Sequence, residues 1–214
     1  MAKIKTNSST DGHKILLQSE RFEQMASEFR SWRMSTFIRQ LEKSRKKGKI
    51  LPFVRGLRLS AHLIYATREL LEGTNLTANW GHLLDNDGNF CSPECDVIIH
   101  KNGHIRQWND TGKPVMDFRF VSMNNALVVI SCKSRVRSID EEYPREMNVY
   151  VGRIWLFGEC CGPRSGKSLA KKAEKAGYEK FWYLYTWSPK TEATFNRGGW
   201  SNFVDEVQKL KDSV

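Results

Sequence analysis

No stretch of the 214-residue chain approaches the roughly 20 apolar residues that span a bilayer. The opening residues, MAKIKTNSSTDGHK, lack the apolar core of a signal peptide, so the expected compartment is the cytoplasm, without membrane attachment. Cysteine is scarce: Cys91, Cys95, Cys132, Cys160 and Cys161 make five. An odd number in a reducing compartment reads as free thiols, which excludes a disulfide scaffold. There is no internal repeat and no low-complexity segment. Acid is in deficit, with 24 Asp and Glu against 34 Lys and Arg, a net charge of +10 and a pI near 9.4. That imbalance points to a polyanionic partner, nucleic acid first and an acidic membrane surface second.

What is present suits one globular domain. Residues 1–18 read as a flexible tail and 19–214 as the domain, with 19–58 its basic helical part. From Ser19, a plausible N-cap, to about Arg45, Phe22, Met25, Phe29, Trp32, Phe37 and Leu41 recur at helical spacing. A second helix is expected over Leu59–Glu72, stopped by Gly73. Strands follow: Gly81–Asp85, a turn at Asn86-Asp87-Gly88-Asn89, then Cys95–His100. Residues 105–120 show no clear pattern. Ala126–Ser131 is the apolar run of a buried central strand. A short irregular helix is expected over 138–150, strands over Val151–Cys161 and Phe181–Trp187, and helices over Ser168–Ala176 and Ser201–Leu210. This order implies an α/β sandwich with a central mixed sheet flanked by helices.

Two of these strands carry the chemistry. Asp96 opens CDVIIH, and Lys133 closes VVISCKS. If the strands pair, acid and lysine emerge together at one edge of the sheet. Phosphodiester hydrolysis uses such a pair. A carboxylate holds Mg²⁺, a hard cation that prefers oxygen. The cation activates a water and clamps the phosphate, and the lysine orients that water and steadies developing charge.

The stretch DNDGNFCSPECDVIIH, followed by ALVVISCKSR, resembles the PD-(D/E)XK nuclease superfamily. Within it, the hairpin is similar to that of NucC-type nucleases, the cyclic-nucleotide-activated effectors of bacterial antiphage systems. In outline it also resembles type II restriction endonucleases. The likeness covers about residues 59–135. It implies a restriction-endonuclease-like fold and a DNA endonuclease of restriction or antiphage defence. It also implies Mg²⁺ or Mn²⁺ as cofactor, DNA as substrate, a homo-oligomeric assembly and a small activating nucleotide. By position, Asp96 is then the first metal ligand, the backbone carbonyl of Cys132 completes the metal shell, Lys133 is the catalytic lysine, and Glu69 is a supporting acid on the preceding helix. Ser131 breaks the pattern, because it stands where the family has Glu or Asp. The missing carboxylate is expected from Glu146 or Glu142, or from Glu94; without one, the chain is a binding relative that does not cut.

Other signals compete. GPRSGKS, residues 162–168, resembles a P-loop but has one residue too few between Gly162 and Gly166-Lys167. The milder reading is a phosphate contact by Arg164 and Lys167. Cys91, Cys95, His100 and His104 suggest zinc by spacing. However, Cys95 and His100 bracket one strand, roughly 16 Å apart by strand rise. The segment from Glu28 to Arg58 holds ten cations against two acids, a net of +8. Within it, Arg39, Lys43, Arg45, Lys46, Lys47 and Lys49 are the expected contacts to a phosphate backbone.

Overall fold

The computed structural model describes residues 12, 15–26, 50–88, 90–102, 105–107, 118–188 and 190–213. In chain order the elements are α1 (residues 15–26), α2 (Ile50–Leu71), β1 (Leu76–Leu84), β2 (Cys95–Lys101), β3 (Ile105–Gln107), β4 (Phe118–Ser122), β5 (Ala126–Lys133), α3 (Glu142–Met147), β6 (Ile154–Cys161), α4 (Gly166–Ala176), β7 (Lys180–Thr186), β8 (Thr194–Phe195) and α5 (Arg197–Asp212). The strands form one sheet in the order β3-β4-β1-β2-β5-β6-β7-β8. The hairpin β1–β2 is antiparallel, as is β2–β5, whereas β5, β6 and β7 run parallel. This is the mixed sheet that the strand and helix order implied.

Alternation along the strands sorts side chains onto two faces. Val97, Ile99, Val128, Ile130, Trp155 and Phe157 meet Leu59, Leu63 and Leu70 of α2 and Trp200, Phe203 and Val207 of α5. On the opposite face, Ile98, Val129, Ile154 and Leu156 meet Met147 of α3 and Ala173 of α4. β6 is buried along its whole length, as expected of a central parallel strand. No helix among the described residues is long and apolar enough to cross a membrane.

Four expectations change. The second helix starts at Ile50, nine residues before Leu59. Pro52 falls in its first turn, where a missing N–H costs no hydrogen bond. Ser19 is no cap; it lies inside α1 and is buried. Residues 15–18, expected in the tail, already belong to α1. There Ile15 packs on the core, and buried Gln18 donates Nε2 to the Ala66 carbonyl at 3.0 Å. Finally, the unpatterned region 105–120 supplies β3 and most of β4, on the outer edge of the sheet.

Phe203 holds the α5 face together. It is fully buried, with its ring centroid 5.1 Å from Phe157, 5.4 Å from Trp182 and 5.2 Å from Trp200. Phe203→Ala leaves a cavity there and should cost about 3–5 kcal/mol in a urea melt. Tyr65→Ala, at a side chain 61% exposed, should move stability by no more than about 0.5 kcal/mol. Equal effects would contradict this packing.

Candidate active site

The site forms where β2 and β5 part. Their last paired residues at this end are Val97 and Ile130. Beyond that pair Asp96 turns its carboxylate into the gap, and the Cys132 backbone N–H donates to its Oδ2 at 2.7 Å. The carboxylate thus takes the place of a strand–strand hydrogen bond. Burial pushes its pKa up to about 6, although the Cys132 N–H, the nearby Lys133 ammonium and the Ser60 hydroxyl all favour the charged form. Glu94, also close, opposes it.

The loop before Asp96 is pinned to β1. Ser92 Oγ accepts from the Leu83 N–H at 2.9 Å, and the Ser92 N–H donates to the Leu83 carbonyl at 2.8 Å. Gly81 pairs with Cys95 across a register shift in β1. A Cβ at Gly81 would sit 1.7 Å from the Arg119 carbonyl oxygen, so only glycine lets β4 close on β1 there. These contacts fix where β2 begins, and with it Asp96.

Ser131 and Lys133, two residues apart, share the face opposite Cys132. Ser131 is buried. Lys133 is half-exposed, and its Nζ lies 3.9 Å from Oδ2 of Asp140. The other Asp140 oxygen, Oδ1, accepts the N–H groups of Glu142 and Tyr143 at 3.1 and 3.3 Å, at the start of α3. Tyr143 in turn donates its hydroxyl to the Glu94 carbonyl at 3.3 Å. The buried Tyr178 hydroxyl sits beside Ser131 without a well-formed hydrogen bond, and Asp140 and Asp96 are its negative neighbours.

Asp96, Ser131, Cys132 and Lys133 therefore come together as the sequence implied. Glu69 does not join them. α2 runs antiparallel to β1, so Glu69 is nine residues beyond Ser60, roughly 13 Å along the helix axis. There Gln18 Nε2 donates to it at 2.8 Å, and Arg21 lies at 3.9 Å. Glu142 and Glu146 are exposed on α3, whose buried residues are Pro144 and Met147. Glu142 faces Arg145 at 3.8 Å. The Glu94 carboxylate accepts the Trp80 indole N–H at 2.7 Å. Among the described residues, no three Asp, Glu, His or Cys side chains form a metal-binding group. The sequence reading missed Ser60, Asp140, Tyr143 and Tyr178. An Asp two residues before a short helix is a capping signal, which is the one sequence cue to Asp140.

Arg164 and Lys167 are exposed at the start of α4. β6 runs parallel to β5, so both lie at the sheet edge that carries Lys133. Gly166 has a packing reason: an added Cβ would fall 2.8 Å from the Tyr183 hydroxyl oxygen. Arg39, Lys43, Arg45, Lys46, Lys47 and Lys49 lie outside the described residues.

No protein-family model matches the chain, and no curated protein does. Solved structures do. P. aeruginosa ATCC27853 NucC in its cAAA-bound form is 12% identical with a TM-score of 0.54, over 91% of this chain and 90% of that one. E. coli MS115-1 NucC, also cAAA-bound, is 13% identical with a TM-score of 0.50, over 89% and 90%. The chain thus has the α/β sandwich fold of the NucC structures, as the hairpin motif implied.

Proposed function

We propose that this chain is a divalent-metal-dependent DNA endonuclease of restriction or antiphage defence, cutting phosphodiester bonds at the fork between β2 and β5. The observation that carries the reading is the placement of Asp96 and Lys133 within electrostatic reach of each other where the two strands separate. The donor set fits a hard cation. Asp96 receives one N–H from Cys132, and burial keeps its charged form poorly compensated. Mg²⁺ characteristically takes one or two carboxylates, neutral oxygens and waters. Asp96, the Cys132 carbonyl and the Ser131 hydroxyl would hold it, with Mn²⁺ as a substitute. When bound, the cation lowers the pKa of its water and neutralises phosphate charge. Asp96 is the anchor, ionised above about pH 6. Lys133 orients the attacking water and steadies charge on the phosphoryl oxygens.

The DNA backbone has a matching surface. Lys167, Lys171, Lys172 and Lys175 line one side of α4, while Leu169 and Ala173 of the same helix are buried. Lys167, Lys171 and Lys175 are spaced four residues apart, about 6 Å per step along the axis. With Arg164 they form a row that begins at the site's edge. The apolar side of α4 is spent on the sheet, which argues against membrane insertion. The cAAA-bound state of both NucC structures supports a small activating nucleotide. A homo-oligomer follows because cutting two strands needs two sites.

A second reading rests on Ser131. With a neutral side chain at that position and no three-acid group among the described residues, the chain would bind DNA without cutting. Plasmid cleavage separates the two. With Mg²⁺ or Mn²⁺ and candidate cyclic nucleotides supplied, the wild type should cut. Asp96→Ala and Lys133→Ala should each lose at least about 100-fold. Salt-sensitive DNA binding without cleavage under any of these conditions would establish the second reading instead.

Asp96 also makes a pH prediction. Its folded pKa, about 6, is raised above the unfolded carboxylate value. The folded chain therefore holds that proton more tightly, and the resulting stability is full below about pH 4 and lost as pH rises through about 6. In EDTA, Asp96→Asn should raise stability at pH 7.5 by up to about 3 kcal/mol, with most of the gain gone at pH 4. An Asn variant less stable at pH 7.5 would contradict the uncompensated charge.

A further inference from the structure

We propose that Asp140, just ahead of α3, supplies the second carboxylate of the metal site, in place of the acid missing at Ser131. The inference rests on the nuclease reading above. Four observations place Asp140 there. First, its Oδ2 lies 3.9 Å from Nζ of Lys133, on the sheet face that Ser131 and Lys133 share. Second, its Oδ1 accepts two N–H groups at the start of α3, which fixes the side chain in rotation. Third, the Tyr178 hydroxyl is buried beside Ser131 without a well-formed hydrogen bond, and Asp140 and Asp96 are its negative neighbours. A buried hydroxyl without a partner is costly; a water on a cation held by the two carboxylates would satisfy it. Fourth, the rival acids are exposed or engaged: Glu142 and Glu146 are exposed on α3, and Glu94, though near Asp96, accepts the Trp80 indole N–H.

The chemistry follows from charge. Serine at position 131 removes one negative charge from the strand, and Asp140 returns it from the loop. Two carboxylates with neutral oxygens suit Mg²⁺ or Mn²⁺, which keep several waters. Lys133 Nζ lies 3.9 Å from Asp140, so a cation on that carboxylate would compete with the ammonium and free it for the phosphate.

Mn²⁺ binding to the full chain, read by electron paramagnetic resonance at pH 7.5, tests this without DNA or cleavage. Asp140→Asn removes the charge and keeps the oxygen that caps α3. A thermal melt checks that the fold is intact. Asp140→Asn should weaken Mn²⁺ at least 10-fold, as Asp96→Asn does, whereas Glu146→Gln and Glu94→Gln should stay within 2-fold. Asp140→Asn with Ser131→Asp should recover part of the loss. If the wild type binds Mn²⁺ and Asp140→Asn binds it equally well, Asp140 is not a ligand, and the nuclease reading stands on another acid. If the wild type binds no Mn²⁺ up to millimolar concentration, the metal-dependent reading fails, and this inference fails with it.

Discussion

The hydrogen bond from the Cys132 N–H to Asp96 Oδ2, 2.7 Å long, is the contact around which the site is built. β2 and β5 are paired up to Val97 and Ile130 and separate beyond them. At the fork one backbone N–H loses its strand partner, and a buried N–H must find another. Asp96 provides it. The same bond fixes the carboxylate in the gap. Lys133 follows one residue after Cys132, so its position is set by the same bond. The stability of the fork therefore depends on an acid that its surroundings only partly compensate, as functional sites often require.

Around that bond, the two faces of the sheet have separate tasks. The α2 and α5 face is an aromatic and aliphatic core in which Trp155, Phe157, Trp200 and Phe203 are fully buried. It contributes Ser60 from α2 to the Asp96 environment. The α3 and α4 face carries Ser131, Lys133, Asp140 and Tyr178, and its outer helix presents the lysine row. The rigid core holds β5 and β6 still. The groups of the candidate site stand on strand ends and on a loop tied to a helix start.

Much of this was legible in the sequence. CDVIIH and ALVVISCK are apolar runs with a single charged residue at the informative end, so pairing and polarity together placed Asp96 and Lys133. FWYLYTW read as a core strand, and Trp182, Tyr185 and Trp187 are buried. The failures have physical causes. Glu69 was chosen by its helix, but the antiparallel course of α2 carries it away from the fork. Glu146 was chosen by chain proximity to Lys133, yet spacing alone does not give a six-residue helix its rotation. Asp140 carries no sign of a site in the sequence, because only the fold brings its Oδ2 beside Lys133. Ser19 reads as a cap because it is polar, but it lies on the inward side of an amphipathic α1. β4 was missed because its burial depends on β1, through Gly81, and not on its own pattern.

The central claim is that the β2–β5 fork is a divalent-metal site. Anomalous diffraction from crystals grown with Mn²⁺ tests it most directly. A peak is expected within about 2.5 Å of an Asp96 carboxylate oxygen. A map with no peak at the fork, and Asp96 still bonded to the Cys132 N–H, would contradict it.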